Sequence, residues 1–215
     1  RQRQMCIRDS SSSMIVEVPR AEYGDNGVLF FADCGVVPEP TVDQLASIGV
    51  QTGLLARQVF GKTPRIAFLS FSTHGSSAHP SAMKMAAAAA QARELAIRIG
   101  GTDALDHPME IDGELQGDTA IVPAVAAIKV PDSLVAGKAN VLIFPDLDSG
   151  NIAVKLVQYL AGARVYGQIV NGLSRPAARI SRGTLSEDIA AVAAIIGLQA
   201  IEYRKLYPLD EIELY

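Results

Sequence analysis

The 215-residue sequence has no tryptophan, three histidines and two cysteines, and each scarcity closes off a class of chemistry. Cys6 and Cys34 make neither a disulfide framework nor a zinc-ligand spacing, so a reduced, cytoplasmic protein is expected. Cys34 follows an apolar run and reads as a buried, inert thiol. His74 and His79 are near neighbours but His107 is remote, which argues against a metal site. No apolar run approaches the ~18 residues of a membrane span. The longest, around Ala86 to Ala90, is an alanine tract interrupted by Gln91, Arg93 and Glu94, and no membrane partner is expected. An excess of base is also lacking. Nineteen Lys and Arg against 23 Asp and Glu leave a net charge of -4, so no nucleic-acid partner is expected, since that would favour a basic face. Anions would have to be held locally, by single cations or by helix N-termini.

What remains is ordinary globular composition, with 49% hydrophobic and 20% charged residues. The length suits one large or two small domains. Residues 1–13 show neither periodicity nor the apolar core of a signal peptide, and end in a serine run. They are expected to be a scar or a disordered lead-in, with the fold beginning at Met14.

From there, short apolar runs and longer helical patterns alternate. Strands are expected at 14–18, 28–33, 66–70, 141–144 and 165–170, with an alternating segment at 109–115. Asn26-Gly27 signals a hairpin turn between the first two. Thr41-Val42-Asp43-Gln44 fits a capping box opening a helix over 42–60, which Gly61 stops. Further helices are expected at 80–99, at 119–129 with a break at Pro123, from 151 to 160, and at 185–203. This alternation is the signature of an α/β fold with a largely parallel sheet. In such sheets ligands bind beyond the carboxyl ends of the strands. Three polar loops leave strands there: 70–77, 145–151 and 171–188.

The last loop carries the sharpest signal. Thr184-Leu185-Ser186-Glu187 has capping-box form, with Thr184 as N-cap and Glu187 at the third helical position. Ser181-Arg182-Gly183 just before it would bring a hydroxyl, a guanidinium and free N–H groups to one helix N-terminus, an anion site. Asp188 falls in the first turn, where a carboxylate is favoured and could act as a base. An ordinary capped helix with a surface arginine fits the pattern equally well. The 70–77 loop could hold phosphate through Ser72 and Thr73, although its glycines lack P-loop spacing. Asp146, Asp148 and Asn151 could suggest a cation site, but one short cluster favours helix capping and cleft lining.

Taken together, these segments resemble the phosphate acetyltransferases of the phosphate acetyl/butyryl transferase family. The segment from Gly172-Leu173-Ser174-Arg175-Pro176 through Leu185-Ser186-Glu187-Asp188-Ile189 is similar to the family's Gly-Leu-x-Lys-Pro-x-Asn-Asp-Leu-Ser-Arg-Gly-x-x-x-Glu-Asp-Ile. Glu17-Val18-Pro19 with Tyr23-Gly24-Asp25-Asn26-Gly27, Phe31-Ala32-Asp33-Cys34-Gly35, Leu69-Ser70-Phe71-Ser72-Thr73, Asp112-Gly113-Glu114-Leu115-Gln116 and the stretch from Lys138 to Ala153 also fit, in family order.

The resemblance implies a two-domain fold like that of the isocitrate and isopropylmalate dehydrogenases, with the site in the interdomain cleft. It implies reversible transfer of an acetyl group between coenzyme A and inorganic phosphate by direct thiol attack. Ser181 and Arg182 would hold the phosphate or acyl phosphate and polarise its carbonyl, and Asp188 would take the thiol proton. Ser72, Thr73, Gly183, Asp146, Asn151 and Gly172 would line the substrate site. Acetyl-CoA or CoA and phosphate or acetyl phosphate are the partners implied, with CoA a co-substrate, no tightly bound cofactor, and a homodimer expected. Alternatives are a butyryl or other acyl homologue, a non-catalytic regulatory domain of a fused enzyme, and a solute-binding protein, which would normally carry an export signal.

Two departures stand out. Ala178-Arg179 replaces the family's Asn-Asp, and family members carry a further segment upstream. Residues 14–167 are therefore expected to form the second domain and 168–215 a returning segment of the first. The chain by itself is expected to be weakly active or inactive.

Overall fold

The computed structural model describes residues 10–100, 109–173, 175–181 and 184–206, side chains beyond 201 excepted. The apolar runs pair into one sheet of seven strands: β1 (Ser11–Glu17), β2 (Val28–Ala32), β3 (Arg65–Leu69), β4 (Glu110–Leu115), β5 (Val141–Ile143), β6 (Arg164–Asn171) and β7 (Ala177–Ala178), in the spatial order β4-β3-β5-β2-β1-β6-β7. The helices are α1 (Val42–Phe60), α2 (Pro80–Gly100), α3 (Gly117–Ile121), α4 (Pro123–Lys129), α5 (Leu147–Leu160) and α6 (Ser186–Leu206). The result is a mixed α/β fold.

Strands β4, β3, β5 and β2 are parallel, because helices make their crossovers. β1 runs antiparallel to both neighbours, and β7 antiparallel to β6. The expected largely parallel sheet is thus parallel only in this half. The hairpin signal explains one reversal: Asn26 and Gly27 take positive φ values of 52 and 88 at the end of the β1–β2 connection.

Both sheet faces are buried, which is why the central strands are continuously apolar. Alternate residues serve opposite layers. Phe30, Phe68, Val141, Ile143 and Ile169 face α1 and α2, with Ile195 and Ile196 of α6 packed against the same cluster. Leu29, Phe31, Leu69, Leu115 and Leu142 face Ala120, Ala126 and Val154 on the other side. α1 lies so close to β3 that a Cβ at Gly49 would come within 2.5 Å of the Phe68 ring. Its capping box is formed as expected, with Thr41 and Gln44 exchanging hydrogen bonds, and Gly61 closes it at φ 63.

Two expectations need correction. The supposed lead-in reaches only part of the way to Met14: Ser11, Ser12 and Ser13 are fully buried residues of β1. The Ser12 and Ser13 hydroxyls are bonded by the side chains of Asp33, Thr52 and Asn171, while the buried Ser11 hydroxyl has no hydrogen-bond partner among the described residues. Residues 1–9 lie outside the described residues. The second correction is at α6. The carbonyl of Leu185 accepts from the N–H groups of Asp188 and Ile189, so the helix is entered at Leu185 and Thr184 is not its cap.

Candidate functional site

The carboxyl ends of β2, β3, β4, β5 and β6 fall on one edge of the sheet, together with the start of β1. The three loops expected to carry ligands all begin there, and so does the β2–α1 connection.

That connection is organised by Asp33, which is 2% exposed. Its Oδ1 accepts from the Ser12 N–H (3.3 Å) and hydroxyl (2.6 Å) and from the N–H groups of Gly35 (2.9 Å) and Val36 (3.2 Å). Oδ2 accepts from the Val37 N–H at 2.9 Å. The adjacent Cys34 is buried, as expected, and burial together with the Asp33 charge pushes its thiol well above the usual range. The start of α5 presses on the same loop: a Cβ at Gly150 would lie 2.4 Å from the Asp33 carbonyl oxygen. Asp146 caps α5 by accepting from the Ser149 N–H at 2.8 Å, and the Asn151 amide donates to the Cys34 carbonyl at 3.0 Å. Asn151 therefore joins α5 to this loop, while Asp146 serves the start of its own helix.

The β3–α2 loop is pinned by a second buried carboxylate. Glu114 accepts from the Ser72 hydroxyl (2.8 Å) and the Gly75 N–H (2.7 Å), and its carbonyl from the His74 N–H (3.0 Å). The Ser72 oxygen in turn accepts from the Ser77 N–H. Thr73 accepts from the Gln116 N–H at 3.0 Å. Ser72 is fully buried and Thr73 nearly so, and they spend their hydroxyls on the loop itself. Ser72, expected to line the substrate site, is here a buried residue whose hydroxyl shapes the loop. The loop exposes Phe71, His74, Gly75 and Ser76 instead. His74 and Arg93 both reach Asp112 at 3.1 Å, where Ser133 also donates. The Lys84 ammonium, on α2, bonds the Pro145 and Pro40 carbonyls.

The other expected residues lie elsewhere. Gly172, at φ 78, follows β6 on the loop edge. Arg164 pairs with Glu17 and Asn171 with Ser11, so the start of β6 is at the opposite edge. Asp188 is there, its Oδ1 3.0 Å from the Arg164 guanidinium. Tyr166 donates to Glu17 at 2.6 Å, and burial, reinforced by that bond, pushes its hydroxyl up to about 12. Ser181 is exposed, and its carbonyl accepts from the Thr184 N–H. Arg182 and Gly183 lie outside the described residues. Ala178 and Arg179 continue the antiparallel pairing with β6, Arg179 exchanging backbone bonds with Gln168. Of the described site residues, Ser72, Thr73, Asp146, Asn151 and Gly172 thus lie at the loop edge of the sheet and Asp188 at the opposite edge.

A cavity of about 1090 Å³ opens beside β4, lined by Leu54, Arg57, Ile97, Met109 and Leu134 among others, and takes in neither group. Among the described residues no His, Cys, Asp and Glu cluster of three or more could hold a metal ion, and no helix is long and apolar enough to cross a membrane. Asp33, Asp112 and Glu114 escaped the sequence reading as organising residues. Their signal was acid within or just after apolar strand segments, where an ionised group must be heavily bonded.

The family described as phosphate acetyl/butaryl transferase matches residues 3–197, and the chain belongs to it. It is 47% identical over 190 residues to the phosphate acetyltransferase of Acetivibrio thermocellus, covering 88% of this chain and 54% of that protein. The phosphate acetyltransferase of Thermoanaerobacterium thermosaccharolyticum is likewise 47% identical, with 88% and 55% covered. A solved phosphotransacetylase from Streptococcus pyogenes superposes with a TM-score of 0.75 at 41% identity, over 90% of this chain and 54% of that one. The chain therefore spans about half the length of the relatives it matches.

Proposed function

We propose that this protein takes part in reversible acetyl transfer between coenzyme A and inorganic phosphate. The observation that carries the reading is 47% identity, over 88% of the chain, to curated phosphate acetyltransferases. In the direction of acetyl-CoA formation, Asp188 takes the proton of the CoA thiol, whose ordinary pKa near 8.5 leaves it mostly protonated at neutral pH. Asp188 Oδ1 is held by Arg164, while Oδ2 makes no hydrogen bond among the described residues and is the oxygen free to receive the proton. The thiolate attacks the carbonyl carbon of acetyl phosphate. Ser181 and Arg182 stabilise the oxyanion, and inorganic phosphate leaves as the thioester forms. No covalent enzyme intermediate, metal or bound cofactor enters these steps.

The reading includes, as the family resemblance implies, the two-domain arrangement of the isocitrate dehydrogenase type, with 14–167 forming the second domain and 168–215 a returning segment of the first. Gly172, Gly183, Thr73, Asp146 and Asn151 would then border the cleft, the last three by shaping loops. A cytoplasmic homodimer belongs to the same reading. The exposed stripe of Ile152, Leu156, Tyr159 and Leu160 on α5 supports the dimer, since large apolar patches mark interfaces.

The test is a thiol-release assay with acetyl-CoA and phosphate. It would use the chain alone and the chain joined to the half of the Acetivibrio thermocellus protein that it does not cover. The joined protein is expected to turn over and the chain alone to be weak or inactive. Arg182→Ala and Asp188→Asn should each lower kcat at least about 100-fold, the scale of losing an oxyanion donor or a general base. Full turnover in both variants would remove the assigned roles.

A further inference from the structure

We propose that Phe71, His79 and Met83 form a platform on which the adenine ring of coenzyme A stacks. The inference rests on the reading of CoA as co-substrate and assigns its adenosine half to the β3–α2 connection.

Phe71 is 59% exposed, and its ring meets that of His79 edge to face at 5.7 Å. Met83, 60% exposed, lies one helical turn beyond His79, its N–H bonded to the His79 carbonyl, so the two side chains share a side of α2. A lone exposed phenylalanine needs no explanation. Here an aromatic ring packs on an imidazole, with a thioether one helical turn further along the same side, at the sheet edge where α/β proteins bind ligands. The loop beneath them is rigidly placed, with Ser70 bonded to the Leu115 carbonyl and Ser72 and Gly75 to the buried Glu114 carboxylate. A surface fixed in this way loses little entropy on binding.

The chemistry selects a flat ring. Every base has a π-face that stacks on aromatic side chains, and a thioether adds polarisable contact. Pantetheine, a flexible amide chain, has no such face. A phosphate would need a free cation, but the ammonium of neighbouring Lys84 is committed to the Pro145 and Pro40 carbonyls. His79 adds direction. Its Nδ1 meets the Ser81 hydroxyl at 2.8 Å and the Ser81 N–H at 3.2 Å, and in the tautomer that accepts from both, the ring N–H is at Nε2, which has no partner among the described residues. That N–H can donate to a ring nitrogen or a sugar oxygen of the stacked nucleoside.

The absence of tryptophan makes the test direct. Phe71→Trp supplies a single indole at the stacking position. Ile128→Trp, on the 85% exposed site of α4, supplies one remote from it. Each would be titrated with CoA, adenosine 3′,5′-bisphosphate and pantetheine, with binding measured in parallel by equilibrium dialysis. CoA and the bisphosphate should quench the indole at 71 and leave that at 128 unchanged, and pantetheine should quench neither. Phe71→Ala should weaken both adenine ligands about tenfold, the loss of a stack worth roughly 1.4 kcal/mol. CoA bound without quenching at 71, or no binding of either adenine ligand, would overturn the platform. Quenching without acyl transfer in the joined protein would keep the platform and sink the acetyltransferase reading.

Discussion

Asp33→Asn is the substitution most diagnostic of how the loop edge is built. It leaves the side-chain shape almost unchanged and exchanges one carboxylate oxygen for an NH2. With the remaining oxygen on the Ser12, Gly35 and Val36 side, the NH2 faces the Val37 N–H that Oδ2 now satisfies at 2.9 Å. Flipped, it faces the other donors. Either way at least one buried donor loses its acceptor, at about 1–3 kcal/mol, and the surviving bonds lose the strengthening a charged acceptor gives. A total of roughly 2–4 kcal/mol follows from those ranges. With a urea m-value of about 2 kcal/mol/M, the unfolding midpoint should fall by about 1–2 M. Urea unfolding followed by circular dichroism measures it. Glu39→Gln, an exposed site with the same change of charge, serves as control and should stay within about 0.5 kcal/mol of the parent. If Asp33→Asn also unfolds within that margin, with an unchanged m-value, the carboxylate does not organise this loop and the account of the edge is wrong.

Two further outcomes are expected. Tyr166 should titrate at about 12 in the folded protein, against about 10 unfolded. Its contribution to stability is therefore complete below pH ~10 and lost as pH rises through the folded value. Phenolate absorbance, read without tryptophan interference, should show one late-titrating tyrosine that moves downward in Glu17→Gln, and a titration unaffected by that change would contradict the Glu17 contact. On α5, Leu156→Asp, placed in the exposed apolar stripe, should convert a dimer to monomers in sedimentation equilibrium at micromolar protein. A protein already monomeric before substitution would remove the homodimer from the proposal.

Local signals located most elements. α1 has a capping box before it and a left-handed glycine after it, both interactions within a few residues of its ends, so its limits match the sequence reading at both sides. Ser11 to Ser13 had no comparable signal. What makes them strand is pairing with Asn171 and bonding to Asp33, far along the chain. The hydroxyl-rich 70–77 loop misled for a similar reason. Serines suited to phosphate are equally suited to a buried carboxylate, and Glu114 lies 42 residues from Ser72. The Ser181 to Asp188 motif identified the family without indicating at which end of the sheet Asp188 would lie. That depends on the direction in which the chain returns after β6.

β1 has a consequence for how the chain is made. It is hydrogen-bonded along both sides, yet one partner, β2, begins at Val28, soon after β1 ends at Glu17, while the other ends at Asn171. At ribosomal rates of 5–20 residues per second, about 7–28 s separate the emergence of the two partners. Through that interval the helices and parallel strands can assemble, while β1 keeps an open flank with its buried serines unpaired on that side. Such an edge is a template for pairing with another chain. A ribosome-bound chaperone, or a neighbouring nascent copy, would meet the protein first at that flank, before β6 seals it.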